Sequence, residues 1–199
     1  MRHARLRRYA PGERLYRIGD GADGLYGIVS GFVRLVSYPE AGRELVAGVM
    51  SGGWFGEVAV LDGGVRPHDA IASGDVVVAK LGLFAWQALA RETPAFTADL
   101  ARLGCLHIRR QMAEIDALMT FGSEGRLSRL LVQLGDAGKR DSGRCRIELS
   151  QTSLADLTGI SRQHLNRLLR VMEAERLIRI GYSCIEVLDP ARLLVHDGR

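Results

Sequence analysis

The sequence predicts an α+β protein with an all-β sandwich or jelly roll at the N-terminus, then a long helix, then a winged helix-turn-helix. Three observations carry that expectation. From Tyr9 to about Lys80, turn signals recur at roughly ten-residue intervals between short β-branched runs. From Ala98 to Met119, small and apolar residues recur at alternating three- and four-residue spacing. Around Gly159 two short amphipathic segments meet, and an alternating apolar stretch follows them.

In the first region the turns fall at Pro11-Gly12, Gly19-Asp20-Gly21, Ser30-Gly31, Pro39-Glu40-Ala41-Gly42, Ser51-Gly52-Gly53, Asp62-Gly63-Gly64 and Ser73-Gly74-Asp75. Strands are expected between them at Leu25 to Val29, Phe32 to Val36, Glu44 to Met50 and Val76 to Leu81. After Thr93 the pattern turns helical, with Pro94 suited to a first turn. Ala98, Ala101, Cys105, Ile108, Met112, Ile115 and Met119 form a heptad seam. Either this helix packs only on its own β domain, with Leu100, Leu103 and Leu106 contributing, or one stripe does so while the seam meets a two-fold mate. The second reading predicts a homodimer in which Cys105 lies near its symmetry mate.

Beyond the seam, Leu127, Leu130, Leu131 and Leu134 mark an amphipathic helix from Gly125 to Gly138, and Arg144 to Leu149 reads as a strand. Ser150 is placed to cap the next helix, whose Leu154 and Leu157 share a face. Gly159 supplies the turn, and Ser161 caps the helix after it. At about 100° per residue, that last helix sends Leu165, Leu168, Leu169 and Met172 to one side and Arg162, Gln163, Asn166, Arg167 and Arg170 to the other. The polar side has three arginines and no acid, whereas a solvated face usually mixes signs. It therefore suits phosphates and base edges: arginine bonds guanine bidentately and glutamine bonds adenine. Being near the helix start, Arg162, Gln163 and Arg167 are the expected base readers, while Asn166 and Arg170 touch phosphate or the groove edge. Leu177 to Leu188 reads as the hairpin wing, from which Arg179 adds a phosphate contact.

Composition agrees with a globular protein. The chain has 199 residues, 47% of them hydrophobic, and a net charge of +4, which permits a nucleic-acid partner without requiring one. No apolar core follows the basic N-terminus and no run approaches a membrane span, so a cytoplasmic location and no membrane partner are expected. Cys105, Cys145 and Cys184 lack ligand spacing and read as free thiols. No nucleophile–base pair, metal-ligand spacing or phosphate-binding Walker loop is present, so an enzyme is not expected.

Two segments and the order of parts resemble the CRP/FNR (catabolite activator) family of bacterial transcription regulators over nearly the whole chain. Phe55-Gly-Glu-Val-Ala-Val-Leu-Asp-Gly-Gly-Val-Arg66 resembles the phosphate-binding cassette of cyclic-nucleotide-binding domains, and Gly159-Ile-Ser-Arg-Gln-His-Leu-Asn-Arg167 resembles the family's recognition helix. The resemblance implies a cyclic-nucleotide-binding-like sensory jelly roll over 1–93, a dimerisation helix over 94–120 and a winged helix-turn-helix over 121–199. It implies double-stranded DNA, a second copy of the chain, RNA polymerase and a small effector as partners. Little precedes the first expected strand, where relatives often carry a helix; the start is either truncated or lacks that element.

For the effector, the resemblance sets Glu57, preceded by Gly56, at the ribose and Arg66 at the cyclic phosphate. The next residue is Pro67, which has no N–H to give. Gln111 and Met112 stand where cAMP-responsive members contact adenine, and Met112 cannot replace a hydroxyl. Three readings stay open: a cyclic mononucleotide, another small effector, or a vestigial pocket in which Glu57 and Arg66 pair with each other or with loop backbone. A haem ligated near His68 and Asp69 is disfavoured because a lone loop histidine more often makes a hydrogen bond, and an iron–sulfur cluster needs a cysteine group the chain lacks. The alternative function is a ligand-binding module whose winged helix binds protein instead of DNA.

Overall fold

The computed structural model describes residues 3–40, 43–137, 139–141, 144–147, 149, 151–181 and 184–195. The chain divides into two compact units, Met1–Ala113 and Glu114–Arg199.

The first unit is built on β1 (Ala4–Tyr9), β2 (Arg14–Tyr16), β3 (Gly24–Glu40), β4 (Arg43–Met50), β5 (Gly53–Phe55) and, after the short α1 (Glu57–Asp62), β6 (Asp69–Gly82). The strands form one antiparallel sheet in the order β1-β6-β3-β4, with β2 added to β6 and β5 to β3. Two expected turns are absent as turns. Ser30-Gly31 and Ser73-Gly74-Asp75 lie inside the long β3–β6 ladder, whose register shifts at Ser30 and again before Phe32. Both glycines have positive φ, and a Cβ at Gly31 would stand 2.4 Å from the Asp75 carbonyl oxygen. Glycine here bends a continuous ladder instead of reversing the chain. The bend lets Leu15, Tyr16, Tyr26, Ile28, Val33, Phe55, Ala72 and Val78 close on one core. The turn expected across Ala41-Gly42 lies outside the described residues.

β1 and α2 are among the elements of this unit that were not expected. β1 is rich in arginine and largely exposed, so it lacks the apolar alternation that marks a half-buried strand. The helix α2 (Leu83–Glu92) follows β6 directly, without a side-chain cap. It buries Trp86 with Leu25, Leu81 and Leu100 at the end of the sheet. Thr93 then breaks the helix before Pro94, because a residue preceding proline avoids the helical region, and α3 (Pro94–Thr120) begins as expected. Leu100 is buried and Leu103 partly buried on this unit, but Leu106 is exposed, contrary to its expected place in that contact.

The second unit contains α4 (Ser123–Ala137), β7 (Lys139–Asp141), β8 (Arg144–Ile147), α5 (Gln151–Thr158), α6 (Arg162–Ala174), β9 (Ile178–Gly181), β10 (Cys184–Val187) and α7 (Pro190–Leu194). Its strands pair in the order β7-β8-β10-β9, all antiparallel. Leu127, Leu131, Leu134, Ile147, Leu154, Leu165, Leu169 and Met172 are fully enclosed, so α4, α5 and α6 share one core with the sheet. Gly159 has φ +65 between α5 and α6, the left-handed turn that glycine adopts without a Cβ penalty. The expected cap at Ser150 and helix end at Gly138 lie outside the described residues.

Candidate nucleic-acid interface and the cassette turn

Ser161 starts α6 as expected: its Oγ accepts from the His164 N–H at 3.2 Å. With the start fixed, the 3.6-residue period turns Leu165, Leu168, Leu169 and Met172 inward, where all four are buried. Arg162, Gln163, Arg167 and Arg170 are exposed and Asn166 is half-buried. Beside them an open groove is lined by Gln151 of α5, by Gln163, Asn166, Arg167 and Arg170, and by Ile180 of the wing. Glu173 also borders it, but its Oε1 accepts from the Ile180 N–H at 2.7 Å and so ties the helix to the wing. Arg179 of the wing is held by Glu186 at 2.8 Å. Sequence reasoning passed over two residues here. Gln151 reaches the groove from a different helix, and His164 makes side-chain contacts with both Ser123 and Arg167. The spacing of His164 from Arg167 was legible; its contact with Ser123 was not.

In the first unit, Gly56 adopts φ 86 immediately before α1, and α1 ends at Gly63 with φ 71. A Cβ at Gly56 would come within 2.6 Å of an Arg66 guanidinium nitrogen, so glycine is required by both backbone and space. Arg66 is only 1% exposed. It donates from Nη1 to the Gly56 carbonyl at 2.7 Å, and from Nη2 to the Gly24 carbonyl at 2.6 Å and to Asp23 Oδ1 at 2.7 Å. Its Cζ lies 4.3 Å from the centre of the Tyr16 ring. Asp23 Oδ2 accepts from Tyr26 at 2.8 Å and from Lys80. Burial pushes the Asp23 carboxyl upward, but the bonds from Lys80, Arg66 and Tyr26 outweigh it and hold the pKa below the usual range.

Glu57, also buried, bonds through Oε1 to His107 Nδ1 of α3 at 2.7 Å. The two cassette residues thus pair, but not with each other: Arg66 takes Asp23 and two loop carbonyls, and Glu57 takes His107. Pro67 follows with no N–H to offer. Gln111 lies beside β4, its Nε2 3.6 Å from where a Cβ at Gly48 would stand. Met112 is 61% exposed, on the seam face of α3. All seven seam residues, from Ala98 to Met119, are exposed. Burial lowers the pKa of His68, while Asp69 is engaged by Arg14, Tyr38 and the Ile18 N–H. Among the described residues no group of three or more His, Cys, Asp or Glu gathers to hold a metal, and no helix is long and apolar enough to cross a membrane.

Residues 6–93 match the family model of the cyclic nucleotide-binding domain, and residues 125–195 match that of the Crp-like helix-turn-helix domain. The chain is 30% identical to the cyclic AMP receptor protein of Thermus thermophilus, across 94% of this chain and 85% of that protein. It is 27% identical to a CRP-like cAMP-activated global transcriptional regulator of Mycobacterium tuberculosis, across 92% and 83%. Among solved structures, a CRP-family transcriptional regulator of Thermus thermophilus superposes with a TM-score of 0.76 at 29% identity, covering 97% of both chains. FixK2 of Bradyrhizobium japonicum shares the fold, with a TM-score of 0.86 at 19% identity over 98% of both chains.

Proposed function

The chain belongs to the CRP/FNR family and is a DNA-binding transcription regulator carrying a cyclic nucleotide-binding domain; from that premise we propose that it acts as a homodimer whose paired α6 helices read a palindromic operator. The observation that carries this reading is the arginine-rich face of α6, whose bordering carboxylate, Glu173, is engaged by the Ile180 N–H. Arg162, Gln163, Arg167 and Arg170 stand out from the buried leucine face, and the last three line one groove. Ser161 sets the start of that helix, so the first-turn residues Arg162 and Gln163 reach base edges, Arg167 follows one turn later, and Asn166 and Arg170 meet phosphate or the groove edge. The exposed apolar stripe of α3 supports the dimer. Ile108, Met112, Ile115 and Met119 repeat at seam spacing, with Met119 84% exposed, and such a stripe is stable in water once a second copy covers it. RNA polymerase is the further partner of a regulator so bound.

The cassette is read here as self-paired, and DNA binding as independent of a cyclic nucleotide. Gly56, Glu57, Arg66 and Pro67 do not fit an incoming cyclic phosphate as they stand. The two terminal nitrogens of Arg66 are committed to Asp23 and two carbonyls, leaving only its buried Nε without a partner, Glu57 is committed to His107, and Pro67 removes an N–H donor. Gln111 and Met112, on an exposed part of α3, add no hydroxyl. Fluorescence anisotropy on an operator selected from random DNA, at fixed salt, tests both statements. Tight sequence-selective binding unchanged by cAMP, cGMP and cyclic dinucleotides is expected. A large gain with one nucleotide would overturn the self-paired cassette and leave the regulator standing; equal affinity for every sequence would overturn the reading of α6.

A further inference from the structure

We propose that His164 is a positioning residue for Arg167: its imidazole, pinned to the start of α4, holds the guanidinium in one pose, and base discrimination at the Arg167 contact depends on it. The inference rests on the reading of α6 as the DNA-reading helix. Arginine carries donors and no acceptor, so in the 2.8 Å contact Arg167 Nη2 donates and His164 Nδ1 accepts. The neutral ring then carries its hydrogen on Nε2 and donates it to Ser123 Oγ at 2.9 Å. The His164 backbone N–H is held by Ser161 Oγ. Its main chain and both ring nitrogens are therefore fixed, one of them by a residue outside α6.

That outside anchor is what distinguishes the arrangement from an ordinary contact along one helix. Residues three apart share a helix face, but a side-chain pair on a solvated surface is weakly held when both members are free to move. Here one member is tied to α4, so the ring acts as a fixed post. Arg167 lends it one N–H and keeps the rest of its fork for a base edge. A guanidinium already in place loses less rotamer freedom on binding, and its geometry is restricted to bases that match it. The device acts on one base pair and leaves the phosphate contacts of Asn166 and Arg170 untouched.

The test compares H164A, H164Q, S123A and R167A with the full-length wild type on a panel of operators, each altered at one base pair, at fixed salt. R167A identifies the base pair that Arg167 reads. H164A is expected to lose about 10-fold of discrimination at that same pair and little elsewhere, within the range a bidentate base contact supplies. H164Q is expected to restore it, since its amide offers one acceptor and one donor, and S123A to show a smaller loss at the same position. Thermal melts of each variant separate this from unfolding, which would weaken every operator alike. If R167A alters one position and H164A alters none, or alters all equally, the positioning role is overturned. If R167A alters no position, the reading of α6 falls and takes the proposal with it.

Discussion

A guanidinium as enclosed as that of Arg66 needs acceptors, and Asp23, Gly24 and Gly56 meet its two terminal nitrogens. The Arg66 N–H donates to Asp20 and its carbonyl accepts from Gly19, while the side chain reaches Asp23 and Gly24. Removing it strands those acceptors, so Arg66→Leu is expected to cost about 2–4 kcal/mol in urea unfolding, a loss that a solvent-facing ligand arginine would not produce. Asp69 sets a second expectation. Burial raises its pKa, but the Ile18 N–H, Arg14 and Tyr38 outweigh this and hold it below the usual carboxylate value. A carboxyl with a lower pKa folded than unfolded adds stability that is full above the unfolded pKa of about 4 and drains as pH falls through the folded value. Wild type should therefore lose stability more steeply than Asp69→Asn between about pH 5 and pH 2, measured by urea titration; equal slopes would discount the cluster. The sequence made Glu57 and Arg66 legible as a pair of interest but not their partners. Asp23 is 43 residues from Arg66 and His107 is 50 from Glu57, distances at which no local pattern links them.

At the scale of elements, legibility followed periodicity. The 27 residues of α3 give the heptad pattern room to repeat, and α6 shows its two faces because Ser161 and Gly159 mark its start. The ten residues of α2 follow a strand with no side-chain cap, so their helical period is hidden behind an apolar run. The glycines of β3 and β6 read as turns because the sequence does not distinguish a bend within a ladder from a reversal. The α3 stripe yields the prediction that belongs here. Ile115 is 58% exposed at the seam, so Ile115→Asp should leave the fold intact by circular dichroism while shifting the protein from dimer to monomer in analytical ultracentrifugation. Two carboxylates facing each other across an apolar seam cost more than the contact returns. An unchanged dimer would remove the seam from the interface.

For the molecule as a whole, a net charge of +4 on 199 residues gives modest general attraction to DNA, so the proposed function places specificity on the α6 face and on the pairing of two copies of it. The two compact units part after Ala113, within α3, and a boundary inside a helix leaves no linker composition for the sequence to display. The helix that carries the seam has residues in both units, and under the proposed dimer the operator is read by two α6 helices at a set spacing. Half-sites about 34 Å apart, roughly 10.5 base pairs, place both major grooves on one side of the duplex. Inserting about five base pairs between them turns one groove to the opposite side. Operator affinity should then fall about 100-fold or more toward that of a single half-site. In the same titrations Arg170→Ala should lower affinity for all sequences and reduce the salt slope by about one, whereas Arg162→Ala relaxes one base pair. Affinity that ignores the insertion would mean that each copy binds alone, and the dimer would then have no part in choosing the operator.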